Sequence, residues 1–218
     1  MRFLNEQAGN ELLSAHDISM VPSFVCKDEE DVRKYFGRIN GECVMKILSS
    51  DILHKSDAGA VKLGIKTEEE AVKAYAEILE NARAYDATAK IDGVIIQSML
   101  EKGLEVIFGV KKDEQFGHVV LFGMGGIFVE VMKDVSLRLV PLDEKSAEDL
   151  INDTRISKVF DDFRGTAYNK EEIKNTLLKL SKVVEQNPDI AEIDVNPYII
   201  YPSGKQGYGV DALIAYEK

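Results

Sequence analysis

The chain has 218 residues, 45% hydrophobic and 30% charged, and its 38 acidic against 27 basic side chains leave a net charge of −11. Such a length buries about 70% of the surface of the unfolded chain, as one domain or two associated lobes, without disulfides or metal. The acidic balance argues against a general nucleic-acid binder, which needs a net basic face. It leaves room for an anionic ligand met by a few lysines. Cys26 and Cys43 lack CxxC spacing and sit in apolar stretches, which reads as two free buried thiols. The start, MRFLNEQAGN, has no apolar targeting run, and no stretch nears the roughly 18 apolar residues of a membrane span. A cytoplasmic protein is the expectation.

The elements follow in chain order. NEQAGNELLSAHDI predicts a short amphipathic helix with Ala8, Leu12 and Leu13 on one side. MVPSFVC predicts a strand entered through a proline, and Asp28 is placed to cap a helix over EEDVRKYFGRI. ECVMKILSS reads as a buried strand carrying one lysine, and GAVKLGI as a second strand. TEEEAVKAYAEILENARAY is the clearest helix, with a Thr67–Glu70 capping box and an apolar stripe of Val72, Ala76 and Leu79. Strands over DGVIIQSML and GLEVIFGVKKD follow, then strand, glycine-rich turn and strand in HVVLFGMGGIFVEVMKDVSLRLVPL. Helices are expected near 146–159 and 170–186, the second opened by Asn169 with Glu172 at its capping-box position. The end reads as two strands joined by a Pro-Ser-Gly-Lys-Gln-Gly loop. This order does not alternate as a doubly wound parallel sheet would. It fits an α+β fold of two lobes, 1–100 and 101–218, with a ligand cleft between them.

Several residues could carry chemistry. Lys46 lies among residues that should be buried, so it either reaches solvent or faces an anion. SSDILHKSDAGAVKLGI holds a polar turn with His54, Lys55 and Ser56 ahead of Gly59; it is either a solvated loop or a phosphate-handling turn. In the second case the neutral imidazole is a nucleophile toward phosphorus and Lys55 a neutralising charge. His16 and His118 have no such surroundings and read as spectators. FGMGGIF is a tight turn or a place where a ligand approaches the backbone closely, and matches neither GxGxxG nor GxxxxGK[ST]. EIDVNP puts Glu192, Asp194 and Asn196 at alternate positions, with Asp211 on the next strand. This is a solvated strand face or a hard-oxygen site for Mg²⁺. Glu105, a carboxylate on a strand expected to be largely buried, suits ribose hydroxyls or a salt bridge to Lys111 or Arg138.

VMKILSSDILHKSDAGAVKLGI, GVIIQSML…GLEVIFGVKKDEQFG, FGMGGIFVEVMKDVSLRLVPL and EIDVNP…VDA resemble, in order and over nearly the whole chain, the ATP-grasp subunit of ADP-forming acyl-CoA (acetyl-CoA) synthetases, relatives of succinyl-CoA synthetase. The resemblance implies an ATP-grasp fold with ATP or ADP and Mg²⁺ held between two α+β lobes. By that likeness Lys46 contacts nucleotide phosphates, and the turn of His54, Lys55, Ser56 and Gly59 lies over them. A hinge at Gln97, Ser98 and Met99 holds adenine largely through backbone groups, and Glu105 holds the ribose. Asn196 and Asp211 hold Mg²⁺. Glu130 and Arg138 stand near the phosphoryl path.

The resemblance further implies that His54 is a second phosphohistidine, relaying a phosphoryl group between a histidine of the CoA-binding subunit and the nucleotide. The family converts acyl-CoA, ADP and phosphate to acid, CoA and ATP, reversibly. With no CoA-binding region in this sequence, a separate α subunit and an α₂β₂ assembly are implied, or a fused chain of which this is a part. Two other readings stay open: an ATP-grasp carboxylate–amine ligase, which needs no His54, and a non-catalytic nucleotide-sensing module.

Overall fold

A computed structural model describes residues 1–126, 134–161, 165–202 and 204–217. The chain folds as two compact units: residues 3–8 with 21–101, and residues 1–2 and 9–20 with 102–218. Apart from the short strand at residues 2–3, the described ladders are antiparallel, in keeping with an element order that does not alternate as a doubly wound parallel sheet would.

The first unit is built on a four-stranded sheet. Its strands are β2 (Ser23–Cys26), β3 (Cys43–Leu48), β4 (Val61–Ile65) and β5 (Gly93–Ser98), ordered β2-β5-β3-β4. β3 is buried throughout, because it has a neighbour on each side and helices cover the sheet. Two helices pack on it, α2 (Glu29–Phe36) and α3 (Glu68–Tyr85). Asp28 caps α2 by accepting from the Asp31 N–H, and the Thr67–Glu70 capping box of α3 is complete, both as predicted. Of the predicted stripe on α3, Val72 and Leu79 pack half-buried against the core and Ala76 is exposed; the fully buried positions are Ala71, Ala74, Tyr75, Ile78 and Ala82. That set runs at i, i+3, i+4, i+7 and i+11, a longer uninterrupted stripe than one through Val72. Its side chains join Met45, Ile47, Val94 and Ile96 in one core.

The second unit carries a larger sheet ordered β1-β11-β9-β6-β7-β8, with β10 also pairing β9. Its strands are β1 (Arg2–Phe3), β6 (Leu104–Asp113), β7 (Gly117–Met124), β8 (Val135–Leu139), β9 (Ile190–Ile200), β10 (Tyr208–Gly209) and β11 (Ala212–Tyr216). Helix α1 (Glu6–Ala15) has its first three residues in the first unit and the rest in the second. α4 (Glu144–Asn152), α5 (Ser157–Phe160) and α6 (Lys170–Gln186) complete the described helices. The core of this unit includes an aromatic group in which Phe108 meets Phe122 at 5.5 Å and Tyr198 edge-on at 5.1 Å.

The single helix expected near 146–159 is two. The Asp134 carboxylate accepts from the Arg155 and Ile156 N–H groups at 2.7 and 2.8 Å, and the Thr154 hydroxyl donates to the Ile151 carbonyl. A buried side chain from another segment thus ends one helix and starts the next. Asn169 opens α6 as predicted, accepting from the Glu172 N–H. No described helix is long and apolar enough to cross a membrane.

Candidate nucleotide site

Lys46 projects from β3 with a side chain only 4% exposed. The anion it faces is Glu6, at the first turn of α1. The same carboxylate takes Lys55 at 3.1 Å, from the turn that carries His54. Two predicted phosphate ligands therefore converge, on a glutamate that sequence reading missed. The signal available was a buried strand lysine in want of an anion. The Asn5-Glu6 helix start reads from sequence only as a cap with a favourable charge.

The turn is held firmly. The Ser49 hydroxyl accepts from the Asp51 and Ile52 N–H groups and donates to the Lys90 carbonyl at 2.7 Å. Beyond His54 the chain closes on itself: Ala58, Gly59 and Ala60 donate to the carbonyls of His54, Ser56 and Lys55. Gly59 has φ +60°, and its carbonyl accepts from the Asn81 side chain of α3 at 2.8 Å. His54 and Ser56 are exposed on this turn.

The predicted adenine hinge ends β5. The Met99 N–H donates to the Glu42 carbonyl at 2.9 Å, so that donor does not face a base. Ser98 pairs with Cys43 at the strand end. Gln97 is 1% exposed, and its Oε1 has no hydrogen-bond partner among the described residues.

In the second unit, three predicted residues gather around the glycine turn. Asn196 Oδ1 accepts from the Gly126 N–H at 3.0 Å, and the Gly125 N–H donates to the Glu105 carbonyl at 2.9 Å. Gly126 sits at φ +65°, and a Cβ there would run into the Glu105 carboxylate. The Asn196 N–H donates to the Asp211 carbonyl, so these residues face each other across adjoining strands. Glu105 is exposed rather than largely buried, because it stands near the start of β6 on the open side of the sheet.

Asp194 lies one register step from this group, on the wall of a cavity of about 430 Å³ with Gly109, Lys111, Leu121 and Glu192. Burial first, then the charges of Glu192 and Asp211, push its carboxyl up to about 6. Its Oδ1 has no hydrogen-bond partner among the described residues. Hard oxygens crowded by like charge suit a divalent cation. Among the described residues, no group of three or more His, Cys, Asp or Glu is placed to hold a metal ion on its own.

Arg138 stands apart from Glu105. It alternates with the exposed Leu137 and Leu139, and its guanidinium pairs with Asp153 at the end of α4. Glu130 lies outside the described residues. His16 bonds the Leu12 carbonyl and the Gln186 side chain, and His118 the Ile190 carbonyl at 2.7 Å, both structural roles.

Residues 1–215 match the family described as ATP-grasp domain. The chain is 42% identical over 211 residues to the acetate–CoA ligase [ADP-forming] II subunit beta of Pyrococcus furiosus, covering 96% of this chain and 89% of that one. A solved structure of Ca. Korarchaeum cryptofilum dinucleotide-forming acetyl-coenzyme A synthetase 1, in complex with coenzyme A, Ca-AMPCP and HgCl⁺, superposes with a TM-score of 0.93 at 38% identity, covering 99% of this chain and 94% of that one. Another structure of that enzyme, with coenzyme A and Mg-AMPPCP and its phosphohistidine segment pointing towards the nucleotide-binding site, gives 0.85 at 35% identity, over 99% and 93% of the two chains. The chain belongs to the ATP-grasp family, in the branch that includes the β subunits of ADP-forming acetate–CoA ligases.

Proposed function

We propose that the chain is the nucleotide-binding β subunit of an ADP-forming acyl-CoA ligase, passing a phosphoryl group between His54 and ADP or ATP. The observation that carries this reading is the convergence of Lys46 and Lys55, the residue after His54, on one point. Two ammoniums held together beside an exposed histidine make a setting for an anion moving to or from an imidazole nitrogen.

In the first unit, Lys46 and Lys55 bind nucleotide phosphates, with the Ser56 and Gly59 turn beside them. Gln97, Ser98 and Met99 border the base. In the second, Glu105 takes the ribose hydroxyls, and Asn196 and Asp211 hold Mg²⁺. The metal, when bound, spreads the charge of the phosphoryl group in transfer. His54 takes the phosphoryl group on a ring nitrogen, and the bond from that phosphorus to its donor oxygen breaks. The relatives support this reading, as does a neighbour that carries a Mg²⁺ nucleotide analogue. We further infer a CoA-binding partner chain, an α₂β₂ assembly and a cytoplasmic setting.

The test is intact-mass analysis of the purified chain, with and without its partner subunit, after incubation with Mg²⁺·ATP. Acid-labile, base-stable gain of one phosphoryl group by the wild type and not by His54→Ala is the expected result. An equal gain by His54→Ala would place the phosphoryl group on another residue and remove the relay through His54; no gain by either form despite ATP binding would favour a carboxylate ligase that works without a phosphohistidine.

A further inference from the structure

Glu6 has no part in the reading above, yet it is the most buried charge in the first unit's site. Its side chain is 1% exposed, and those of Lys46 and Lys55 are 4% and 12%. Charges this deep need partners, and removing one from such a group leaves the others poorly compensated. The carboxylate is itself well placed. Asn5 caps α1 by accepting from the Ala8 N–H at 3.1 Å, which sets Glu6 in the first helical turn, where the helix dipole favours an anion. Asn5 also donates to Asp92 at 2.8 Å, and the Asp92 N–H donates to the Leu48 carbonyl at the end of β3. The start of α1 is thereby tied to the strand that carries Lys46.

We propose that Glu6 is a positioning residue for the phosphate site: its carboxylate gathers the Lys46 and Lys55 ammoniums and keeps the His54 turn in register with β3. This rests on the nucleotide reading above. Two ammoniums gathered in a poorly solvated place present paired donors to an incoming phosphate. Without Glu6 the two ammoniums lose the anion they share, and Lys55, on a turn rather than a strand, loses the contact that holds it beside Lys46. Glu6 acts on phosphate only through the lysines and need not touch it.

Calorimetric titration of the full chain with Mg²⁺·ATP and with adenosine tests this, using wild type, Glu6→Gln, Lys55→Met and the double variant. A structural role would weaken both ligands alike. The positioning role predicts that Glu6→Gln weakens Mg²⁺·ATP about tenfold, roughly 1.4 kcal/mol, and leaves adenosine unchanged. It also predicts that the Glu6→Gln penalty shrinks in the Lys55→Met background. Glu6→Asp, which keeps the charge and shortens the reach, carries the test if the Gln variant does not fold. It should weaken Mg²⁺·ATP by a smaller factor and leave adenosine unchanged.

Equal losses for both ligands, an unaltered Mg²⁺·ATP affinity, or tighter Mg²⁺·ATP binding overturns the proposal. The last result would make Glu6 a competitor of phosphate. Absence of nucleotide binding by the wild type overturns the functional reading and this inference with it. Wild-type binding with unaltered variants overturns the inference alone.

Discussion

The Asn196 side chain accepts the Gly126 N–H at 3.0 Å, so a proposed metal ligand also fixes the turn that borders Glu105. Any side chain at Gly126 meets two obstacles, a positive φ and the Glu105 carboxylate. Gly126→Ala is expected to cost about 1–2 kcal/mol of stability. Displacement of Glu105 should weaken ADP binding by about tenfold or more, a loss of roughly 1.4 kcal/mol or more. Thermal melts and calorimetric titration of one preparation would separate the two effects.

In the proposed function Asn196 and Asp211 act on nucleotide through the cation, whereas Lys46 does not. Asn196→Ala and Asp211→Ala should therefore lower affinity for ATP in Mg²⁺ by about tenfold, yet leave binding in EDTA close to wild type. The ratio of affinities with and without Mg²⁺ is the measurement. A Lys46→Met variant should lose affinity in both conditions.

The two thiols carry a pH prediction. Burial is the first cause raising both, Cys26 to about 12 and Cys43 to about 11, with nearby carboxylates adding to it. A raised thiol pKa keeps the unreactive S–H form to higher pH, and the thiolate appears only as the pH nears that raised value. Iodoacetamide should leave both cysteines unmodified in the native protein from pH 7 to about 9, where an exposed thiol titrates near 8.5. In urea both should alkylate at once. Mass spectrometry after a timed quench reads the difference.

Glu172 is a stability hinge for the C-terminal strands. Its Oε1 accepts from the Tyr198 hydroxyl at 2.8 Å, the Gln206 side chain at 2.7 Å and the Gly207 N–H at 2.8 Å. Tyr198 is buried, and Glu172→Ala leaves its hydroxyl only the longer bond to the Gly207 carbonyl at 3.2 Å while removing the acceptor of the Gly207 N–H. A loss of about 2–4 kcal/mol is expected by urea denaturation. Tyr198→Phe should lose less, because it leaves no unpaired donor behind.

What the sequence disclosed divides by range. Caps at Asp28, Thr67 and Asn169 are legible because both partners lie within one turn of chain. The break between α4 and α5 is not, because Asp134, some twenty residues away, supplies the acceptors that interrupt it. The motif residues of the site were readable as types, and the gathering of Asn196, Gly126 and Glu105 follows strand pairing. Glu6 was not readable. Nothing local distinguishes it from other acids that open helices, and its meaning arises only when β3 and the His54 turn come to it. The partner of Arg138 was equally unreadable: its ion pair with Asp153 joins β8 to the end of α4, fifteen residues on.

The grip of Asn81 on the Gly59 carbonyl limits how far His54 can travel. The residues after the imidazole are closed into a self-bonded arc and latched to a five-turn helix that itself packs on the core. In the proposed relay, a phosphohistidine at His54 on so short a tether is a fixed landing point rather than a swinging arm, and any long stroke in the phosphoryl journey falls to the delivering group.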